Sequence, residues 1–166
     1  MKQMILILSI IACAAGTLSA QIPPDRDALL NGDGNGMAQY AESNGFPGPK
    51  HVLDLAEKLG LSAKQKAEVR EIYEDMRTRA RSMGKMIVKV EEELNDAFSS
   101  GMMKQESIEE DAESIGKMRG TLRGVHLAAH VKTKEILTKK QVELYIALRK
   151  EQKEKEQNAP KGEHIH

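Results

Sequence analysis

From Val69 to Ala97 the apolar residues Val69, Tyr73, Met76, Ala80, Met83, Ile87, Val90, Leu94 and Ala97 recur in alternating steps of four and three. A strand alternates its faces every two residues and cannot gather that set on one side, whereas a helix lays it along one narrow stripe. The seam therefore predicts a single helix over about 63–98, roughly 50 Å long at ~1.5 Å per residue. A stripe of that length stays wet unless a second helix runs beside it. Ser99-Ser100-Gly101 provides a turn, and Ile108, Ile115, Met118, Leu122, Val125, Ala129 and Ile136 repeat the pattern over about 108–136. The expected core is an antiparallel pair packed by the heptad rule.

Each long helix has a short neighbour. Val52, Leu55 or Ala56, and Leu59 mark a first helix after Pro49, ended by Gly60; Val142, Tyr145, Ile146 and Leu148 mark a last one over about 139–155. The two junctions repeat each other as Leu61-Ser62-Ala63-Lys64-Gln65 and Leu137-Thr138-Lys139-Lys140-Gln141. In each, a hydroxyl residue at the N-cap stands three before Gln, so each side chain satisfies the other's orphan backbone N–H. At the second junction Leu137 and Val142 also occupy hydrophobic-staple positions. The fold class expected is all-α: a four-helix hooked hairpin, two long antiparallel helices each flanked by a short one.

Outside this domain, assigned to 49–156, the chain changes character. Lys2, an apolar run from Met4 to Gly16, and Ala20 before Gln21 read as a signal peptide over 1–20, too short for a permanent bilayer span, so no transmembrane segment is expected in the mature chain. Ile10-Ile11-Ala12-Cys13 offers an alternative, a lipoprotein anchored at Cys13; with cleavage after Ala20 the mature chain holds no cysteine. Residues 21–48, with Pro23, Pro24, Pro47 and a Gly/Asn run, read as a flexible leader, and 157–166 as a disordered tail containing His164 and His166. Within the leader, Asn31, Asp33, Asn35, Gly36 and Glu42 keep the spacing of a calcium loop, although its first position is Asn and no convincing entering helix precedes it. With 25 Lys+Arg against 25 Asp+Glu, no Trp and only two Phe, the chain lacks the basic field and the stacking surfaces that nucleic acid requires.

Five histidines carry what chemistry there is. His126 and His130, one helical turn apart, share a face of the second long helix and can share a metal. If the hairpin turns near 102, residue 130 lies opposite about 74, and a turn near 60 sets His51 opposite about 70. His51, Glu71 or Glu74, and His130 then fall at one level. Imidazoles plus a carboxylate suit Zn, Cu, Ni or Co rather than Mg or Ca. A zinc peptidase would need Glu where Leu127 follows His126, and there is no phosphate loop, so no enzyme is expected. Gly116, Gly120 and Gly124, each costing about 1 kcal/mol in a helix interior, read as a site of close helix approach or bending. Met86, Met102 and Met103, off the seams or near the turn, offer a polarizable surface for a client.

The twin Leu-Ser/Thr-x-x-Gln motifs behind a signal peptide, with Asn44-Gly45-Phe46-Pro47-Gly48-Pro49-Lys50-His51, His126-Leu127-Ala128-Ala129-His130 and Tyr145-x-x-Leu148-Arg149, resemble the LTxxQ family of periplasmic heavy-metal-resistance and stress proteins, the CnrX/ZraP/CpxP/Spy-like group. The resemblance covers about 45–150 and implies a hooked hairpin that forms a homodimer. It divides the function between metal binding in sensing or resistance and an ATP-independent chaperone or envelope-stress adaptor. The partners it implies are a membrane sensor, an anti-sigma factor or unfolded envelope proteins. The CnrX-like pattern places a further histidine pair on the first short helix, a Glu on the first long helix and a Met one turn after the second helix's His. Here Val52 and Ala56 occupy the first positions and Thr133 stands about where the thioether would be.

Overall fold

The computed structural model describes residues 22–158, all of whose regular elements are helical. The segment expected to be a signal peptide, Cys13 within it, and residues 159–166 lie outside the described residues. Six helices follow in order: α1 (Arg26–Asn31), α2 (Gln39–Ser43), α3 (Pro49–Asp54), α4 (Ala63–Ser99), α5 (Gln105–Ile136) and α6 (Lys139–Asn158). α4 and α5 are the two long arms of a hairpin, turned at Ser100 and Gly101, where φ is +69° at the glycine. Their facing stripe is the heptad seam: Val69, Met76, Ala80 and Ile87 from α4 and Ile115, Leu122, Val125 and Ala129 from α5 are buried.

The hook is built by α3 and the turns after it, folded back on the hairpin's open end. Val52, Leu55, Ala56, Leu59 and Leu61 bury together with Val69, Leu137 and Tyr145. Both junction motifs cap their helices. Ser62 Oγ accepts from Gln65 N while Gln65 Oε1 accepts from Ser62 N, and Gln141 Oε1 accepts from Thr138 N at 2.9 Å. The two glutamines do more than cap. Gln65 Nε2 donates to Gln141 Oε1 at 2.8 Å and to the Ile136 carbonyl at 3.0 Å, and Gln141 Nε2 reaches the Leu59 carbonyl at 3.4 Å. The repeated motif is thus a cross-tie between two junctions distant in sequence, clasping the last carbonyls of α5 and of the hook.

The flexible leader expected over 21–48 does not appear across 22–48. This stretch is instead a strap that folds along the hairpin. Leu29 of α1 is buried against Ala80, Ile87, Val88 and Leu122, a cluster that also takes up part of Met83 and Met118. α4 is notched to receive it: a Cβ on Gly84 would lie 2.0 Å from the Leu29 carbonyl oxygen. Polar ties hold the edges. Arg119 donates from both terminal nitrogens to Asp25 at 2.7 and 3.1 Å and also to Glu91, and Arg81 donates to the Asn31 carbonyl. Glycine and proline composition reads as mobility, but here those residues let the backbone lie close against the helices. At Gly116, Gly120 and Gly124, read as a site of close helix approach or bending, nothing beyond the helix's own backbone lies within 4 Å of a built Cβ, so no other helix among the described residues makes that approach.

Candidate metal centre

The strap, α3, α4 and α5 border an open pocket of about 370 Å³, with Lys153 of α6 at its edge. His51, His126 and His130 all line it, together with Asp33 and Glu42 from the strap. Glu71 and Glu74, expected at this level, are instead exposed on α4, and neither lines the pocket. The α4 residues that do are Tyr73, Met76 and Arg77, because the seam turns that face of the helix inward and leaves the glutamates on its flank.

His126 and His130 are buried, 4% and 8% exposed. His130 Nδ1 lies 2.8 Å from the Phe46 carbonyl. Donation of Nδ1–H to that carbonyl leaves the lone pair of the neutral ring on Nε2, the arrangement by which metal-binding histidines are oriented. Phe46 is itself pinned by Lys134, whose Nζ sits 3.7 Å from the ring centre. His126 Nε2 is buried with no hydrogen-bond partner, although a buried imidazole nitrogen is normally satisfied. Burial pushes the His126 pKa down and the neighbouring His130 pushes the same way, while Asp33 opposes them. His51 is also pushed down, first by burial and then by Arg149. Both shifts favour the neutral ring, the form that binds metal.

Glu42 occupies the ground between the histidines. Its Oε1 is 3.6 Å from His51 Nε2 and accepts from Tyr145 OH at 3.0 Å, and Arg149 Nη2 lies 3.8 Å from Oε2. Burial, then Glu42, raise the Tyr145 phenol far above its ordinary range, so it remains a donor. Glycine permits the strap to close over the pair on α5. A Cβ on Gly34 would stand 3.1 Å from His126 Nδ1, and one on Gly48 would stand 3.0 Å from His130 Nε2 and 3.7 Å from Glu42 Oε1.

The donor set fits a transition metal in kind: imidazole nitrogens, one of them buried and unpartnered, with carboxylates at hand. As placed, among the described residues no three His, Cys, Asp or Glu side chains converge closely enough to hold one ion. A ligated state therefore requires side-chain movement within the pocket. The calcium-loop spacing of 31–42 is bracketed by α1 and α2, but its closing residue Glu42 is bound by Tyr145, and Asn31 serves Arg81 through its carbonyl. Comparison of the chain with family models, with curated proteins and with solved structures gives no match.

Proposed function

We propose that this chain is an extracytoplasmic, periplasmic heavy-metal-binding protein acting in metal sensing or resistance, with His126 and His130 as the core ligands and His51 joining them. The observation that carries the reading is the buried, unpartnered Nε2 of His126 beside a His130 ring oriented by the Phe46 carbonyl. A buried donor atom left unsatisfied costs about 1–3 kcal/mol, and coordination would remove that cost. Nitrogen and oxygen donors direct the choice to Zn, Cu, Ni or Co. The protein binds rather than catalyses, since Leu127 stands where a metallopeptidase would carry its general base. In this reading it works as a homodimer and passes metal status to a membrane sensor or anti-sigma factor.

Titration calorimetry with each of the four metals tests it, on the chain carrying His164→Ala and His166→Ala so that the tail cannot bind. The expected result is one ion per chain, bound much more tightly than by the further His126→Ala/His130→Ala variant. Equal affinities would refute the reading. The second reading, an ATP-independent chaperone or envelope-stress adaptor, is favoured by one observation: the open stripe of Gly116, Gly120 and Gly124 on α5, together with exposed Phe98 at the end of α4 and exposed Met102 in the turn between the arms. Suppression of aggregation of an unfolded client, undiminished in the histidine variant, would support it.

A further inference from the structure

We propose that the strap supplies the carboxylate donors of the centre, Asp33 for His126 and Glu42 for His51 and His130, so that one bound ion joins two segments of chain. The inference rests on the metal-binding reading above and adds to it ligands that lie outside the hairpin.

Three observations lead to it. First, the acids of α4 at this level are exposed outside the pocket, so the hairpin alone offers the histidines no carboxylate, while both Asp33 and Glu42 line the pocket wall. A divalent ion in a partly buried site needs its charge offset, and these are the two acids placed to do so. Second, contact is close on both histidines. Gly34, next to Asp33, lies over the His126 ring, and Gly48 lies between His130 Nε2 and Glu42 Oε1. The gap that the missing Gly48 side chain leaves is bordered by an imidazole nitrogen and a carboxylate oxygen, with His51 Nε2 3.6 Å from that same oxygen. Third, the strap is seated by means independent of any metal. Leu29 in the Gly84 notch, the Asp25–Arg119 pair and the Arg81 bond to Asn31 fix its beginning, and the Phe46–His130 bond fixes its end. Between these anchors the strap carries Asp33 and Glu42 along the pocket wall. Tyr145 and Arg149 act as positioning residues, holding Glu42 at the pocket.

The test uses the chain carrying His164→Ala and His166→Ala, with Zn²⁺ and Ni²⁺ as probes. Affinity is measured by calorimetry for this parent, for Asp33→Asn, for Glu42→Gln and for the His126→Ala/His130→Ala variant, and amide hydrogen exchange is followed across 31–46 with and without metal. Each carboxylate substitution is expected to weaken binding by at least about 10-fold, and metal is expected to slow exchange across the strap in the parent but not in the histidine variant. Asp33 is exposed, so Asp33→Asn keeps the test valid even if loss of the Tyr145 bond unfolds Glu42→Gln. Unchanged affinity in Asp33→Asn and in a folded Glu42→Gln, with unchanged strap exchange, overturns the inference and leaves the histidine reading standing. Absence of binding by the parent overturns both.

Discussion

Replacing Gly84 by Ala separates two opposed physical effects in one position. Gly84 lies in the middle of α4, where Ala is favoured over Gly by about 1 kcal/mol through backbone entropy and helix propensity. If the strap were loose, the substitution would stabilise the protein by that amount. The structure places the new Cβ 2.0 Å from the Leu29 carbonyl oxygen and 2.6 Å from its carbon, both backbone atoms that no rotamer change can remove. α1 must then lift by on the order of 1 Å or more, since van der Waals contact lies well beyond those distances. Lifting it uncovers Leu29, which is 2% exposed and whose full burial is worth about 1.5–3 kcal/mol. The ion pair between Asp25 and Arg119 is weakened too, but both side chains are a third or more exposed, so water screening leaves it little weight. The balance is a net loss of roughly 0.5–2 kcal/mol. Urea unfolding gives the magnitude, and amide exchange in Arg26–Asn31 shows where it arises: those amides should exchange faster while Val69 and Leu122 remain protected. A Gly84→Ala protein more stable than its parent would refute the seating of the strap.

The glutamine cross-tie predicts non-additivity: Gln65→Ala and Gln141→Ala each destabilise, and a double-mutant cycle by urea unfolding should show coupling of about 0.5–3 kcal/mol. Ser62→Ala removes one half of a complete capping box and should cost ~1 kcal/mol in thermal unfolding. Arg119 holds the Asp25 carboxyl below the ordinary carboxylate range, chiefly by hydrogen bonding and against the upward push of burial. A depressed folded value means stability that is present above the ordinary carboxylate pKa, about 4, and is lost as pH falls through the folded one. Asp25→Asn should accordingly be less stable than the parent at neutral pH, with the gap closing below about pH 4 in acid unfolding curves. Burial lowers His51 and His126 relative to a free imidazole, so the part of the fall in metal affinity that comes from protonating these two rings should begin only below the usual ~6.5. Calorimetry across a pH series would contradict this if the fall began above that value.

Periodicity made the hairpin readable because every position on the seam repeats one instruction, and Val69, Met76, Ala80, Ile87, Leu122 and Val125 are buried as the alternation asks. Its outer members, Val90, Leu94 and Ala97, are only half-buried, since no third element among the described residues covers that end. The strap was hidden for a different reason. Its seating depends on one leucine meeting one absent side chain, Leu29 on Gly84, 55 positions apart. No local pattern records such a complementarity, and a run of Asn and Gly signals a loop whether or not that loop is pressed against a helix. The histidine pair is legible from its one-turn spacing, but antiparallel pairing arithmetic reaches only acids on the opposite arm and has no means of placing a strap acid beside the pair. The calcium-loop spacing did single out Asp33 and Glu42, though for another ion and without the histidines beside them. The mutual bonding of Gln65 and Gln141 was likewise invisible in two motifs that each make sense alone as a cap.

The buried residues of α4 end at Val88 and those of α5 begin at Ile115, so the hairpin's last turns on either side of Gly101 are joined by partly covered contacts alone. At the other end the hook, the cross-tied junctions and the strap bury three clusters in succession. Cooperative unfolding follows buried contact, so the molecule should come apart as a zipper from one end, with the tip opening far more often than the whole chain unfolds. Amide exchange should then rise from Ala80 toward Gly101 and fall again toward Val125. The tip would sample open forms on its own schedule, while the histidine pocket sits in the part of the molecule that opens last.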